Sequence, residues 1–120
     1  MAITRFEDLN SWQKTRRIVQ DVYRHFGNCK DYSFRDQVQR ATISIMNNIA
    51  EGFDRKSNKE FSYFIKIALG SCGEVRSMLY VAHDLGYLTP DKVEDLQNRL
   101  VEVRSLLIGL SKSLIVKPKI

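Results

Sequence analysis

The chain has 120 residues, enough for one hydrophobic core and too few for two, and its 43% hydrophobic and 28% charged residues are those of a folded globular protein rather than a disordered one. Lysine and arginine outnumber aspartate and glutamate 19 to 14, giving a net charge of +5 and an isoelectric point near 9.4, a balance that suits a polyanionic partner. No apolar run approaches the ~18 residues of a membrane span and the start MAITRFEDL has no signal-peptide core, so the expectation is a cytoplasmic protein with no membrane association.

Leu9, Trp12, Val19, Val22 and Phe26 recur at helical spacing and predict a first helix over 8–26, stopped near Gly27 by the polar stretch NCKDYS. Ser33 with Asp36 gives a capping signal for a second helix, ending at 53 and carrying Val38, Ala41, Ile45, Ile49 and Phe53; the predicted span is 34–53. The third, over 58–85, has the clearest stripe: Phe61, Ile65, Ala68, Cys72, Val75, Leu79 and Ala82. Ser57 and Glu60 open it as an S-x-x-E capping box, hydroxyl to one orphan amide and carboxylate back to another. Thr89 as N-cap and Pro90 at the first position open the fourth, over 90–114, with Val93, Leu96, Leu100, Val103, Leu107, Leu110 and Leu114 on one stripe. The tail VKPKI is expected to fray.

No segment alternates as a strand does, so the predicted fold is all-α. Short connections favour antiparallel neighbours in an up-down-up-down four-helix bundle, a single domain over 1–120. Cys29 and Cys72 have no CxxC pairing and are expected as reduced thiols. Gly52 sits near a helix end, where a missing Cβ permits the left-handed conformation or a close backbone approach; Gly70 and Gly73 inside the third helix suggest close helix contact. Tyr63, Phe64, Ile67 and Met78, with the nearly all-round apolar end of the fourth helix, exceed what one core seam needs. They are either a wide core stripe or, as predicted, a homo-oligomer interface.

Arg40, Ser44 and Asn48 lie four apart on the second helix and are followed by Glu51, while Glu60, Ser71 and Glu74 flank the core stripe of the third. Two such rows are predicted to face each other as a structural polar seam, with Arg40 paired to Glu74 or Glu51; a ligand site is the alternative. Lys14, Arg16, Arg17 and Arg24 on the first helix, with Arg55, Lys56 and Lys59 at the turn before the third, are the candidate phosphate contacts for RNA or DNA, although Asp21 and Asp54 interleave with them. Arg76 and His83 form an R-x6-H pair, the one candidate catalytic pair, and would make a metal-independent ribonuclease of the HEPN type. His25 and His83 have no companion ligands at helical spacing, and no Walker or Gly-x-Gly loop occurs, so no metal site, cofactor or ATP chemistry is expected. A scaffold for a protein partner is the third reading.

The stretch QRATISIMNNIAEGFDRKSNKEFSYFIKIALGSCGEVRSMLYVAHDLGYL, with FEDLNSWQK at Phe6 to Lys14, resembles the bacterial 23S rRNA intervening-sequence proteins along essentially the full chain. Its most specific pieces are FEDL-x-x-WQK, NIAEG at Asn48 to Gly52, R-x-S-x-x-E-F at Arg55 to Phe61 and A-x-GS-x-x-E at Ala68 to Glu74. Val75 stands where leucine is common, a harmless apolar exchange. The resemblance implies a cytosolic four-helix bundle, and members of this wider group look like ring-shaped homopentamers. Some family genes lie inside insertions within large-subunit ribosomal RNA genes, and a related accessory protein of diversity-generating retroelements works with a reverse transcriptase and nucleic acid. No established catalytic residue comes with it. The expectation is a non-catalytic homo-oligomer that binds RNA or a ribonucleoprotein partner.

Overall fold

The structure, a computed structural model, describes residues 2–115. A 3₁₀ turn at Phe6–Asp8 leads into α1 (Asn10–His25), followed by α2 (Tyr32–Phe53), α3 (Asn58–Asp84) and α4 (Pro90–Ser113), and no strand occurs among the described residues. The fold is all-α, as the sequence spacing predicts. The expected fraying of VKPKI falls on residues 116–120, which lie outside the described ones.

Side-chain oxygens cap three of the four helices. Thr89 accepts the Lys92 N–H (3.4 Å) at the start of α4, with Pro90 at its first position, and Ser57 accepts the Glu60 N–H (3.1 Å) at the start of α3. The Glu60 carboxylate accepts from the Ser57 hydroxyl (3.4 Å) rather than from the Ser57 amide, so the box closes through side chains. The cap of α2 is Asp31, which accepts from Phe34 N–H (3.2 Å), two residues before the predicted cap Ser33, and α2 begins at Tyr32 rather than at 34. A carboxylate is the better partner for the positive end of a helix.

Each helix packs on its neighbours in the chain, and α4 closes the ring against α1, giving a molecule of 57 × 23 × 19 Å. Pairs across the seams have descending partners: Gln37 to Glu74 and Ser44 to Ser71 between α2 and α3, Cys72 to Leu100 and Arg76 to Gln97 between α3 and α4, Lys14 to Glu102 and Asp21 to Arg99 between α1 and α4. Antiparallel neighbours around a ring make the up-down-up-down bundle.

The predicted α3 stripe is buried from Phe61 to Ala82, and Met78 joins it at 9% exposure instead of facing a second subunit. On α1 the buried row is Ser11, Thr15, Ile18 and Val22, continued by Phe26 just past its end; Trp12 and Val19 of the predicted stripe lie at its edge, each one residue from a buried position. Thr15 and Thr42 enter the core by donating their hydroxyls to the carbonyls of Ser11 (2.7 Å) and Val38 (2.6 Å), so neither leaves an unsatisfied polar atom. Leu110 and Leu114 are only partly covered.

At the far end from the α2–α3 turn, Gly86 adopts φ +72°, and the Tyr87 and Gly86 N–H groups return to the carbonyls of Ala82 (2.8 Å) and His83 (3.1 Å). That closure aims Tyr87 at the other loop, where its hydroxyl donates to Asp31 (2.6 Å) and its ring meets Phe34, itself stacked near Phe26. The hydrogen bond to Asp31 pushes the Tyr87 hydroxyl up to about 12 and lowers the carboxyl. The carboxylate that caps α2 thus also ties down the α3–α4 loop.

Gly52 is buried and right-handed, so close approach, not backbone conformation, selects glycine there. A Cβ at this position would stand 2.7 Å from Phe64 Cβ and 2.9 Å from Phe61 Cδ1. Gly70 and Gly73 have nothing within 4 Å of an added Cβ and make no close helix contact inside the subunit. Replacing Gly52 by alanine forces the α2–α3 hairpin apart and should cost about 1–3 kcal/mol of unfolding free energy despite alanine's better helix propensity, read by urea denaturation.

Candidate nucleic-acid interface

The motif FEDLNSWQK fastens the chain start onto α1. Phe6 packs edge-on against Trp12 (ring centroids 5.3 Å apart), Leu9 is buried, and Gln13 donates its amide to the Glu7 carbonyl (2.9 Å). With residues 5–8 held in place, their outer edge and the exposed side of α1 enclose a concavity of about 510 Å³ lined by Arg5, Glu7, Trp12, Gln13, Arg16, Arg17 and Gln20. Arg16 lies over the Trp12 ring at 5.7 Å, and Arg5 is shared loosely between Glu7 (3.6 Å) and Asp8 (3.8 Å). Among the described residues neither Arg16 nor Arg17 pairs with a carboxylate. Three guanidiniums therefore converge on one recess against one carboxylate.

The seven candidate phosphate contacts divide. Lys14 bonds Glu102 (3.2 Å), Arg24 bonds Asp21 (2.6 Å), and Arg55 bonds Glu51 (2.6 Å) while stacking on Phe64 (4.7 Å). Arg16, Arg17, Lys56 and Lys59 are exposed and have no acidic partner among the described residues. Lys59 borders a second recess of about 410 Å³ with Lys66, Tyr63, Leu114 and Ile115. Both recesses lie towards the end of the bundle that holds the 3₁₀ turn, the α2–α3 turn and the end of α4.

The polar seam forms in part, with a membership that differs from the expected one. Ser44 and Ser71 share a hydroxyl hydrogen bond (2.9 Å), and Asn48 donates to the Ser44 carbonyl (2.8 Å) and hydroxyl (3.0 Å). Arg40 pairs with neither predicted carboxylate: Glu74 accepts from Gln37 (3.2 Å) and Glu51 from Arg55, which is four residues on and better placed along the helix. Arg40 instead borders a shallow recess with Tyr23, Asp36, Gln39 and Ile43. Glu60 stays at the helix cap.

Arg76 and His83 lie on α3 with different partners and no bond to each other. The Arg76 Nε donates to Gln97 Oε1 (3.2 Å) and Gln97 returns a bond to the Arg76 carbonyl (2.9 Å), whereas His83 is exposed beside Asp84 (3.7 Å). The arginine is used in closing α3 onto α4. No cluster of three metal-binding side chains occurs among the described residues, and no helix there is long and apolar enough to cross a membrane.

Asp21 joins α1 to α4 by accepting from Arg99 (2.6 Å), which also holds Asp95 (3.1 Å). Burial disfavours the Asp21 charge, but the hydrogen bonds and charges of Arg99 and Arg24 outweigh it and hold the carboxyl below its ordinary value. This clamp, hidden in the sequence because its partners are 78 residues apart, orients the α1 face that carries Arg16 and Arg17.

The family profile described as 23S rRNA-intervening sequence protein matches residues 7–109. A solved structure from Bacteroides thetaiotaomicron VPI-5482, described as a protein of unknown function from the S23 ribosomal protein family, superposes with a TM-score of 0.79 at 24% identity, covering 85% of this chain and 98% of that one. A search of curated proteins gives no match.

Because the folded Asp21 carboxyl lies below its ordinary 3.8, its contribution is complete above that value and is lost as pH falls through the folded value. Asp21→Asn should therefore be less stable than the native chain at pH 7, with the gap narrowing below about pH 4 in urea melts, because protonation removes from the native chain what the substitution has already removed.

Proposed function

The chain belongs to the 23S rRNA-intervening sequence protein family, and on that basis and the cationic recess of α1 we propose that it binds RNA through the phosphate backbone, without cutting it, as a cytoplasmic homo-oligomer. The observation that carries this is the convergence of Arg5, Arg16 and Arg17 on one recess, with Arg16 and Arg17 free of carboxylate partners among the described residues. Unpaired guanidiniums are the ones able to exchange counterions for phosphates, since a cation already bonded to a carboxylate must break that bond first. Lys56 and Lys59, towards the same end of the bundle, extend the positive surface.

Assembly supports the same reading by multiplying a single recess into several. The outward side of α3 carries exposed Tyr63 (61%), Tyr80 (60%), Val81 and Leu85, with Gly70 and Gly73 leaving low relief between them, a surface suited to a copy of the same chain. Sedimentation equilibrium should then give a multiple of the 13.9 kDa chain mass, falling towards one chain mass in Tyr63→Glu/Tyr80→Glu.

Binding of a labelled structured RNA should weaken steeply with salt, and Arg16→Glu/Arg17→Glu should abolish the shift at moderate salt. Neutral glutamine at both positions should reduce the log–log salt slope by about two per subunit engaged. The RNA should stay intact in EDTA with the native chain and with Arg76→Ala/His83→Ala alike. Cleavage lost in that double variant, or a shift indifferent to salt and to Arg16 and Arg17, would refute the proposal.

A further inference from the structure

We propose that the α1 recess takes an unpaired nucleotide, its base stacked on the Arg16 guanidinium over Trp12 and its flanking phosphates on Arg5 and Arg17. The inference rests on the RNA-binding reading and adds the form of the nucleic acid to it. Phosphate binding alone needs only exposed cations, such as Lys56 and Lys59 provide. The α1 recess has three features beyond that.

First, its about 510 Å³ lies within the size range of small-molecule sites, large enough to enclose a base as well as the charge beside it. Second, it contains a layered π surface. The sequence places Trp12 on an apolar stripe, yet in the fold the indole sits at the edge of the core and lines the recess, with Phe6 against its edge and the Arg16 guanidinium over the ring. The Arg16 guanidinium, 5.7 Å from the centre of the Trp12 ring, is a second planar group beside the indole, and unpaired bases stack on arginine planes and aromatic rings alike. Third, polar groups able to read a base edge border that surface. Gln13 has committed its amide nitrogen to the Glu7 carbonyl and keeps its amide oxygen as an acceptor, and Gln20 has both groups free among the described residues.

The charges are arranged for a strand rather than a lone anion. Arg5 comes from the chain start and Arg17 from α1, so the two stand on different walls of the recess with Arg16 and Trp12 among its lining. Glu7 lies in the same recess and holds Arg5 at 3.6 Å, a long contact that a phosphate can replace. Duplex RNA has no base to offer such a recess, so single-stranded loops, bulges and ends are the expected ligands.

Trp12 is the only tryptophan of the chain, so its emission reports this recess alone. The test titrates the full-length protein at low salt with a short oligouridine and with an abasic chain of the same length and phosphate count. The oligouridine should change Trp12 emission and bind about tenfold more tightly, the worth of one stacked base. Arg16→Lys keeps the charge but loses the plane, and should remove the advantage of the oligouridine over the abasic chain. Equal affinities for the two chains with no effect of Arg16→Lys would overturn the stacking proposal and leave phosphate-only binding standing. Absence of binding by both chains and by structured RNA would overturn the stacking proposal and the RNA-binding reading together.

Discussion

The absence of a side chain at Gly52 sets how closely α2 and α3 meet, and the rest of the bundle is built on that pair. Their seam is the most extensive in the molecule, and its three levels are chemically distinct: aromatic at Phe53, Phe61 and Phe64, hydroxylic at Ser44 and Ser71, amide to carboxylate at Gln37 and Glu74. Apolar packing resists separation of the helices but tolerates sliding. A pair of serine hydroxyls at 2.9 Å resists sliding, because a shift by one turn would take the partly buried Ser71 hydroxyl from Ser44 and leave Ser44 with Asn48 alone. The serine pair thus ties the register of α2 to that of α3.

Charge pairing then selects which parts of a basic surface remain available. A net charge of +5 describes the whole chain, but much of the positive charge on α1 is spent on α4 and on α1 itself, through Lys14 with Glu102 and Asp21 with Arg99 and Arg24. What remains is uneven. The recess formed by the chain start keeps three guanidiniums close together, and the packing that makes it, Phe6 on Trp12 and Gln13 on the Glu7 carbonyl, is local to a stretch of nine residues. A segment that reads as an entry turn to the first helix is also one wall of the candidate site.

Helix positions and most core residues were legible in the sequence because both depend on local spacing and capping: the α3 stripe, the Thr89-Pro90 start and the Ser57 cap all follow from residues within one or two turns. The predicted α1 stripe took Trp12 and Val19 and omitted Ser11, Thr15 and Ile18, although Ser11, Thr15, Ile18 and Val22 have the same four-three-four spacing as any apolar row. The α2 cap is Asp31 and not Ser33, two residues away, and the further bond of Asp31 to Tyr87 is between residues distant in sequence. Pairings across helices were the least legible. Arg40 had two acidic candidates at suitable heights, and only side-chain reach and competition from Gln37 and Arg55 exclude them. Arg76 was singled out by its spacing from His83, and its bond to Gln97 on α4, 21 residues away, has no signal in local spacing.

The ring of helices is closed unequally. Neighbours along the chain meet through short turns, but α1 and α4 meet by bringing Asp21 to a partner 78 residues away, across the least extensive seam of the four. Loop-closure entropy makes this the last contact a folding chain gains by forming, and its polar bonds give it the least hydrophobic reason to stay shut. The bundle is in that sense a clasped strip of three tight hinges and one latch. The latch lies beside the face that carries Arg17, with Arg99 and Glu102 of α4 bordering Lys14 and Arg17 of α1, so the least extensive seam and one edge of the cationic face are the same place.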